Sequence, residues 1–313
     1  SRSEGVFFQN TTITTLNNSG TINSSTYKGV QISTGTTIEN FNNSGRITGS
    51  TNGIDLAITS NIKTFTNENN GFISGNSGNG IFLTSNSSIE TFTNQGSIIG
   101  GNNAASVQVS ASGQNGATIN TFNNEGIIGN GSSKFGVLVW GNNSSKSTIE
   151  SFNNSGTISS RSEGVFFQNT TIGSLNNSGT INSSTYKAIE VSSGTSIENF
   201  NNSGRISGST SNYAINLASG ATIDNFTNSG SIIGGTSNGI AGVNLASGSN
   251  IKTFTNGSNG FISGNKGINL VAGSSIENFN NSGTIQGPQV GIQTNATINT
   301  FTNNGLINSP GSG

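Results

Sequence analysis

The sequence predicts an all-β fold, a parallel β-solenoid of about twelve coils with three short strands in each coil. Three observations lead to this prediction. One phrase, Ile-x-x-Phe/Leu-x-Asn followed by Gly-x-Ile, recurs twelve times in the 313 residues. Each copy contributes to three short β-branched segments that are bounded by Gly, Asn, Ser and Thr. No stretch of helical length keeps a 3.6-residue apolar period, and the density of Gly, Asn, Ser and Thr disfavours helix.

The repeat also predicts the domain organisation. The first isoleucine of the phrase recurs every 22 to 30 residues, a spacing typical of stacked repeat architectures. Because the repeat continues without a shift in composition, we expect one solenoid domain over residues 1–313, as a fragment of a longer protein. The copies begin at Ile13, Ile38, Ile62, Ile89, Ile119, Ile149, Ile172, Ile197, Ile223, Ile251, Ile276 and Ile298.

The three segments of one coil show how the strands are predicted. Val30 and Ile32 alternate with a polar residue, so both should point inward from a first strand. Ile38 and Phe41 are three residues apart, so the second strand needs a bend or bulge if both point inward. Ile47 is the inward residue of the third strand. Stacked coils then place like side chains in columns, with a phenylalanine column at the centre of the core.

An asparagine follows the Phe or Leu by two residues in every copy, and we interpret it as structural. Stacked amides can form a ladder that satisfies turn backbone groups from coil to coil. The predicted ladder consists of Asn18, Asn43, Asn67, Asn94, Asn124, Asn154, Asn177, Asn202, Asn228, Asn256, Asn281 and Asn303. The glycine two residues before the last Ile is predicted to serve a positive φ or a close backbone approach.

Composition argues against several classes of function. The formal net charge is −1, with eleven basic and twelve acidic residues, so nucleic acid is not expected as a partner. No apolar run approaches the length of a membrane helix, and no direct membrane span is expected. Cys and His are absent, the aspartates are only Asp55 and Asp224, and the glutamates are dispersed. We therefore predict no catalytic residues, no metal site, no cofactor and no enzymatic activity.

The most informative irregularity is apolar. The residue between the two inward residues of the first strand should face water, and it is polar in most coils, as at Gln31, Asp55, Gln108, Glu190, Asn216, Asn244 and Gln293. Apolar residues replace it in a few coils, and Trp140, the only tryptophan, shares the outward parity of Leu138. Scattered apolar surface residues are common. In this chain, however, the outward apolar residues are predicted to form one strip beside two long connections, residues 110–118 and 141–148. This strip is our candidate ligand-binding site and consists of Phe82, Leu138, Trp140 and Phe166.

Taken together, the repeats resemble those of passenger domains of Gram-negative autotransporters, in particular adhesin and vacuolating-cytotoxin-like passengers. The resemblance covers the whole chain and rests on the repeated Ile-x-x-Phe-x-Asn-x-Gly-x-Ile pattern. It implies a right-handed parallel β-helix that is exported through the outer membrane and displayed at the bacterial surface or released as an extracellular virulence factor.

The function that this resemblance implies is a non-enzymatic surface adhesin or stalk. Its expected partners are a host-cell protein or glycan, extracellular matrix, or like rods that self-associate. Two alternatives stay open: a toxin-like passenger that acts on host membranes, and a structural or ice-binding rod with outward Thr pairs.

Overall fold

The structure is a computed structural model that describes residues 3–111, 113 and 115–311. It divides into two compact units. Unit 1 comprises the described residues up to Arg161 together with Asn169–Thr171, and unit 2 comprises Ser162–Gln168 and the described residues from Ile172 onward. The single-domain prediction for 1–313 stays a prediction. Strands are numbered β1 to β36 in chain order.

Unit 1 is a solenoid of six coils, each with three strands that belong to three parallel sheets. The first strands, in sheet order, are β1 (Val6–Phe8), β4 (Val30–Ile32), β7 (Ile54–Leu56), β10 (Ile81–Leu83), β13 (Ala105–Ser110) and β16 (Phe135–Trp140). The second strands are β2 (Thr12–Asn18), β5 (Thr37–Asn43), β8 (Asn61–Asn67), β11 (Ser88–Asn94), β14 (Thr118–Asn124) and β17 (Ser147–Asn154). The third strands are β3 (Thr21–Ser24), β6 (Arg46–Gly49), β9 (Phe72–Gly75), β12 (Ser97–Ile99), β15 (Ile127–Ile128) and β18 (Thr157–Ser160).

Unit 2 repeats this plan with six further coils. Its first strands are β19 (Glu163–Gln168), β22 (Ile189–Val191), β25 (Ile215–Leu217), β28 (Ala241–Leu245), β31 (Lys266–Leu270) and β34 (Val290–Thr294). Its second strands are β20 (Thr170–Asn177, which enters unit 2 at Ile172), β23 (Ser196–Asn202), β26 (Thr222–Asn228), β29 (Asn250–Asn256), β32 (Ser275–Asn281) and β35 (Thr297–Asn303). Its third strands are β21 (Thr180–Ser183), β24 (Arg205–Ser207), β27 (Ser231–Ile233), β30 (Phe261–Ser263), β33 (Thr284–Gln286) and β36 (Leu306–Asn308). The predicted fold class, an all-β parallel solenoid of twelve coils with three strands per coil, is confirmed.

The bend in the second strand follows from its register. Ile38 pairs with Ile62 and Asn40 pairs with Thr64, but the ladder passes over the residue between them, Glu39. This interruption lets Ile38 and Phe41 both point into the core although they are three residues apart, and both are fully buried. The same interruption recurs from coil to coil because every copy keeps the three-residue spacing.

Aromatic rings stack along the centre of each unit. In unit 1, Phe122 lies between Phe92 and Phe152, with ring centroids 4.7 and 4.6 Å apart and planes within 7° and 10° of parallel. In unit 2, Phe226 and Phe254 stack at 4.8 Å. This spacing follows the distance between neighbouring strands, so the rings pack face over face along the sheet.

The predicted asparagine positions form a hydrogen-bonded ladder in each unit. Asn43 Nδ2 donates to Asn67 Oδ1 at 2.8 Å and to Gly45 O at 3.2 Å. In unit 2, Asn202 Nδ2 donates in the same way to Asn228 Oδ1 at 2.8 Å and to Gly204 O at 3.3 Å. Each amide group therefore joins its own turn to the next coil, which satisfies polar atoms that burial would otherwise leave unpaired.

The glycine that precedes the third strand is required by close backbone approach. A Cβ built on Gly45 would lie 2.1 Å from Gly20 O, and one on Gly204 would lie 2.2 Å from Gly179 O. Neither residue has a positive φ. The turns of successive coils are thus in backbone contact, and any side chain at this position would separate them.

Candidate functional site

The candidate site lies on the outer face of the first sheet. In unit 1 the outward positions pair in the order Gln31, Asp55, Phe82, Gln108 and Leu138. Gln108 therefore separates Phe82 from Leu138, which are two strands or about 10 Å apart. The two apolar side chains belong to one face, but the structure does not bring them side by side.

Trp140 ends β16 and is half-buried, as is Leu138 on the same strand. Its register partner on β13 is Ser110. The carbonyl oxygen of Trp140 accepts hydrogen bonds from Ala111 N at 2.8 Å and from Ser147 Oγ at 2.9 Å. The backbone at Trp140 is thus held from two sides, while part of the indole stays accessible to a partner.

The two long connections lie beside Trp140, as the sequence indicated. The second is closed by a pair of backbone hydrogen bonds between Asn142 and Ser145. Asn142 Nδ2 also donates to Gly113 O at 3.0 Å and so ties the second connection to the first. Ser112 and Gln114 of the first connection lie outside the described residues.

Sequence reasoning missed Phe135, which begins β16. It is half-buried and pairs with the buried Ala105, and Lys134 Nζ lies 5.1 Å from the centre of its ring. The available signal was Phe135 itself, because most other coils carry a polar or charged residue at the equivalent position, such as Glu4, Lys28 and Asn52. Phe135, Leu138 and Trp140 give β16 three half-buried apolar side chains, and we call this set the β16 face.

Phe166, the remaining predicted site residue, belongs to unit 2. It is half-buried on β19 between the buried Val165 and Phe167, which point inward. Its outward parity on the first sheet of unit 2 is the one the alternation predicts, and its register partner on β22 is Glu190.

Several polar residues of this face do not face water, contrary to the sequence prediction. Asp55 is 4% exposed and Glu190 is 6% exposed, and Asn216 and Asn244 are also buried. In unit 1, Asp55 Oδ2 accepts from Asn52 Nδ2 at 2.8 Å and pairs with Lys28 Nζ at 3.1 Å. Neighbouring coils and the turn before the first strand cover these side chains, and hydrogen bonds replace the lost solvent contacts.

Unit 2 carries a related ion pair. Its lysine and its acidic residue belong to the same coil, whereas Lys28 in unit 1 pairs with an acidic residue of the next coil. Lys187 Nζ lies 2.9 Å from Glu190 Oε2, and Asn216 Nδ2 donates to both carboxylate oxygens of Glu190, at 3.1 and 2.9 Å. Asn244 extends the chain of amides by donating to Asn216 Oδ1 at 2.7 Å. Every charge in this network is paired, which is the condition for burying it without a large penalty.

Glu163 lies beside this network, and its pKa is raised above the ordinary value of 4.5. Burial is the main cause, since it disfavours the carboxylate. The positive charge of Lys187 lowers the pKa and the negative charge of Glu190 raises it again. The balance leaves a carboxyl group that is less stable in its charged form than it would be in water.

The described part of the chain holds no cluster of three or more His, Cys, Asp or Glu side chains that could bind a metal ion. It also contains no helix that is long and apolar enough to cross a membrane. Comparison of the chain with protein-family models, with curated proteins and with solved structures gave no significant match.

Proposed function

We propose that the chain is a non-enzymatic binding segment of a bacterial surface passenger, and that the β16 face is its contact surface for a host-cell protein or glycan. The observation that supports this proposal is the concentration of apolar side chains on one strand. At the outward position of Leu138, three other coils of unit 1 carry the polar Gln31, Asp55 and Gln108, and one carries Phe82.

The chemistry of this face suits recognition. Trp residues are enriched among the side chains that dominate binding energy at interfaces, because they combine a large apolar area with few rotatable bonds. A binding side chain also needs a rigid backbone, and the two hydrogen bonds to the Trp140 carbonyl hold the backbone in place here. The extracellular location and the passenger assignment follow from the resemblance of the repeats and are part of the proposal.

Binding of the purified chain to host cells and to a glycan array tests the proposal. We expect saturable binding that Trp140→Ala weakens by roughly tenfold or more, as truncation of a central aromatic anchor does. Tyr27→Ala is the matched control, since Tyr27 is an aromatic residue of unit 1 that is 41% exposed and lies away from β16. Phe166→Ser, tested separately, reports whether unit 2 contributes.

The circular dichroism spectrum and Tm of Trp140→Ala should match those of the wild type, because the indole is not part of the buried core. Equal binding by the wild type and Trp140→Ala would contradict the assignment of the site. Absence of binding by a monodisperse wild-type chain would contradict the adhesive role and favour a structural segment.

A further inference from the structure

A second surface feature lies in unit 2, on the third sheet, whereas the candidate site lies on the first sheet. Arg205 and Ser207 point outward from β24, and Ile233 points outward from the neighbouring strand β27. With the turns that follow these strands they enclose a cleft of about 250 Å³. We call it the Arg205 cleft, and its lining consists of Arg205 and residues 207–210 and 233–236.

The sequence of residues 1–8 recurs at residues 160–167, and this internal duplication makes Arg205 the equivalent of Arg46. Arg46 occupies the same position in unit 1, and its register partner in the next coil is Phe72. The guanidinium carbon of Arg46 lies 4.2 Å from the centre of the Phe72 ring, so the ring covers one face of the cation. In unit 2 the register partner of Arg205 is Ser231. Arg205 therefore lacks the ring that covers Arg46.

The hydrogen bonding of the residue at the position of Ser207 also differs between the two units. In unit 1, Thr48 Oγ1 donates to Asn23 Oδ1 at 2.6 Å. The equivalent residues in unit 2 are Ser207 and Asn182, which are paired in register, but the buried Asn182 Oδ1 has no hydrogen-bond partner. Within the described residues, the side chains of Arg205, Ser207, Thr210 and Thr236 make no hydrogen bond or ion pair, so they are available to a ligand.

From this geometry we propose that the Arg205 cleft binds an acidic sugar residue through its carboxylate. The guanidinium is planar and presents two parallel N–H groups that match a carboxylate. The hydroxyls of Ser207, Thr210 and Thr236 are placed to exchange hydrogen bonds with sugar hydroxyls. Ile233 supplies an apolar wall for the C–H face of the ring. The volume suits one monosaccharide unit, and the open side of the cleft leaves room for the rest of a glycan.

Ligand-observed saturation-transfer NMR with the full chain tests this proposal independently of the adhesive role of the β16 face. The probes are 3′-sialyllactose, a glucuronate-containing disaccharide, neutral lactose and inorganic sulfate. We expect one or both acidic sugars to bind and lactose to give no signal, and the acidic sugar that binds identifies the source of the carboxylate.

Four variants locate the site. Arg205→Ala should weaken binding by roughly tenfold or more, because a charge-assisted pair is lost. Arg205→Lys should also weaken binding, since lysine keeps the charge but lacks the two parallel N–H groups of the guanidinium. Ser231→Phe should block binding by covering Arg205 as Phe72 covers Arg46, and its Tm shows that the fold is kept. Arg46→Ala is the matched control and should leave affinity within about twofold, inside the usual scatter for surface changes.

Three results would overturn the proposal. Equal signals from lactose and the acidic sugars would show that the carboxylate is not recognised. Displacement of the sugar by sulfate at equal concentration would show an unspecific anion site. Equal loss of affinity in Arg46→Ala and Arg205→Ala would place the binding elsewhere on the chain.

Discussion

At the scale of single residues, the ladder asparagines use both protons of their amide group. Asn124 Nδ2 donates to Asn154 Oδ1 at 2.7 Å and to Gly126 O at 3.3 Å, and its own Oδ1 accepts from Asn94 Nδ2 at 2.8 Å. Asn124 is almost completely buried. An isosteric carboxylate could accept but not donate, so it would leave buried acceptors unpaired and add an uncompensated charge.

We expect Asn124→Asp to lower the free energy of unfolding by about 3 kcal/mol or more at neutral pH. Asn123→Asp is the matched control, because the hydrogen bond of the Asn123 side chain uses only its oxygen. Asn123 Oδ1 accepts from Asn153 Nδ2 at 2.9 Å, and a carboxylate at this half-buried outer position can still accept that bond. Urea denaturation of both variants measures the difference. Similar stability of the two variants would refute a stabilising role for the amide protons.

Glu163 gives a pH-dependent prediction. Its folded-state pKa is raised, so between 4.5 and the folded pKa the folded state holds the proton that the unfolded state has lost. Stability contributed by this group therefore falls as pH rises through that window and stays lower above it. We expect Glu163→Gln to stabilise the protein at pH 7 by at most about 1 kcal/mol, since solvent screens this partly exposed group.

Lys187 stays paired with Glu190 in the Glu163→Gln variant, so the substitution does not leave a cation unpaired. Thermal melts at several pH values measure the effect. The advantage of the variant should disappear below about pH 4.5, where the carboxyl is protonated in both states. An advantage of equal size at pH 4 and pH 7 would contradict the assignment.

At the scale of elements, the stability of the second sheet depends on the phenylalanine column. Phe122 is fully buried between two stacked rings, whereas Phe301 contacts one ring, Phe279 at 4.9 Å, and is 50% exposed. The two residues occupy the same position of the repeat. Their different burial lets the packing contribution be separated from the intrinsic preference of Phe for a strand.

We expect Phe122→Ala to cost about 3–5 kcal/mol, because it removes a large side chain and leaves a cavity that stacked neighbours cannot fill. Phe301→Ala should cost less than about half of that, in proportion to its smaller buried area. Chemical denaturation monitored by circular dichroism gives both values. Equal costs would show that burial in the column does not set the contribution.

At the scale of the whole molecule, the regular part of the architecture could be predicted and the irregular part could not. The spacing from Ile38 to Phe41 and Asn43 was sufficient to predict strands, core columns and the fold class, because one local pattern is used in every coil. The burial of Asp55 and Glu190 could not be predicted, since it depends on side chains from the preceding turn and the next coil.

The candidate binding features depend on register in the same way. Parity alone indicated Leu138 and Trp140, but Phe135 stands before the alternating part of its strand and was missed. The openness of Arg205 results from a serine 26 residues later, at Ser231, and becomes visible only when the pairing between coils is known.

The asparagine ladder also bears on chemical ageing. Asparagine in a flexible chain deamidates when the backbone nitrogen of the next residue attacks the side-chain carbonyl, and a following glycine favours this reaction. Asn256 precedes Gly257, yet its side chain is held by Asn281 and Gly260, and the nitrogen of Gly257 donates to Asn228 O at 2.8 Å. The nucleophile and its target are both fixed in other hydrogen bonds. The residues whose conversion to aspartate would harm the fold most are thus protected by the fold itself, while exposed Asn-Gly pairs such as Asn130-Gly131 can age without breaking the ladder.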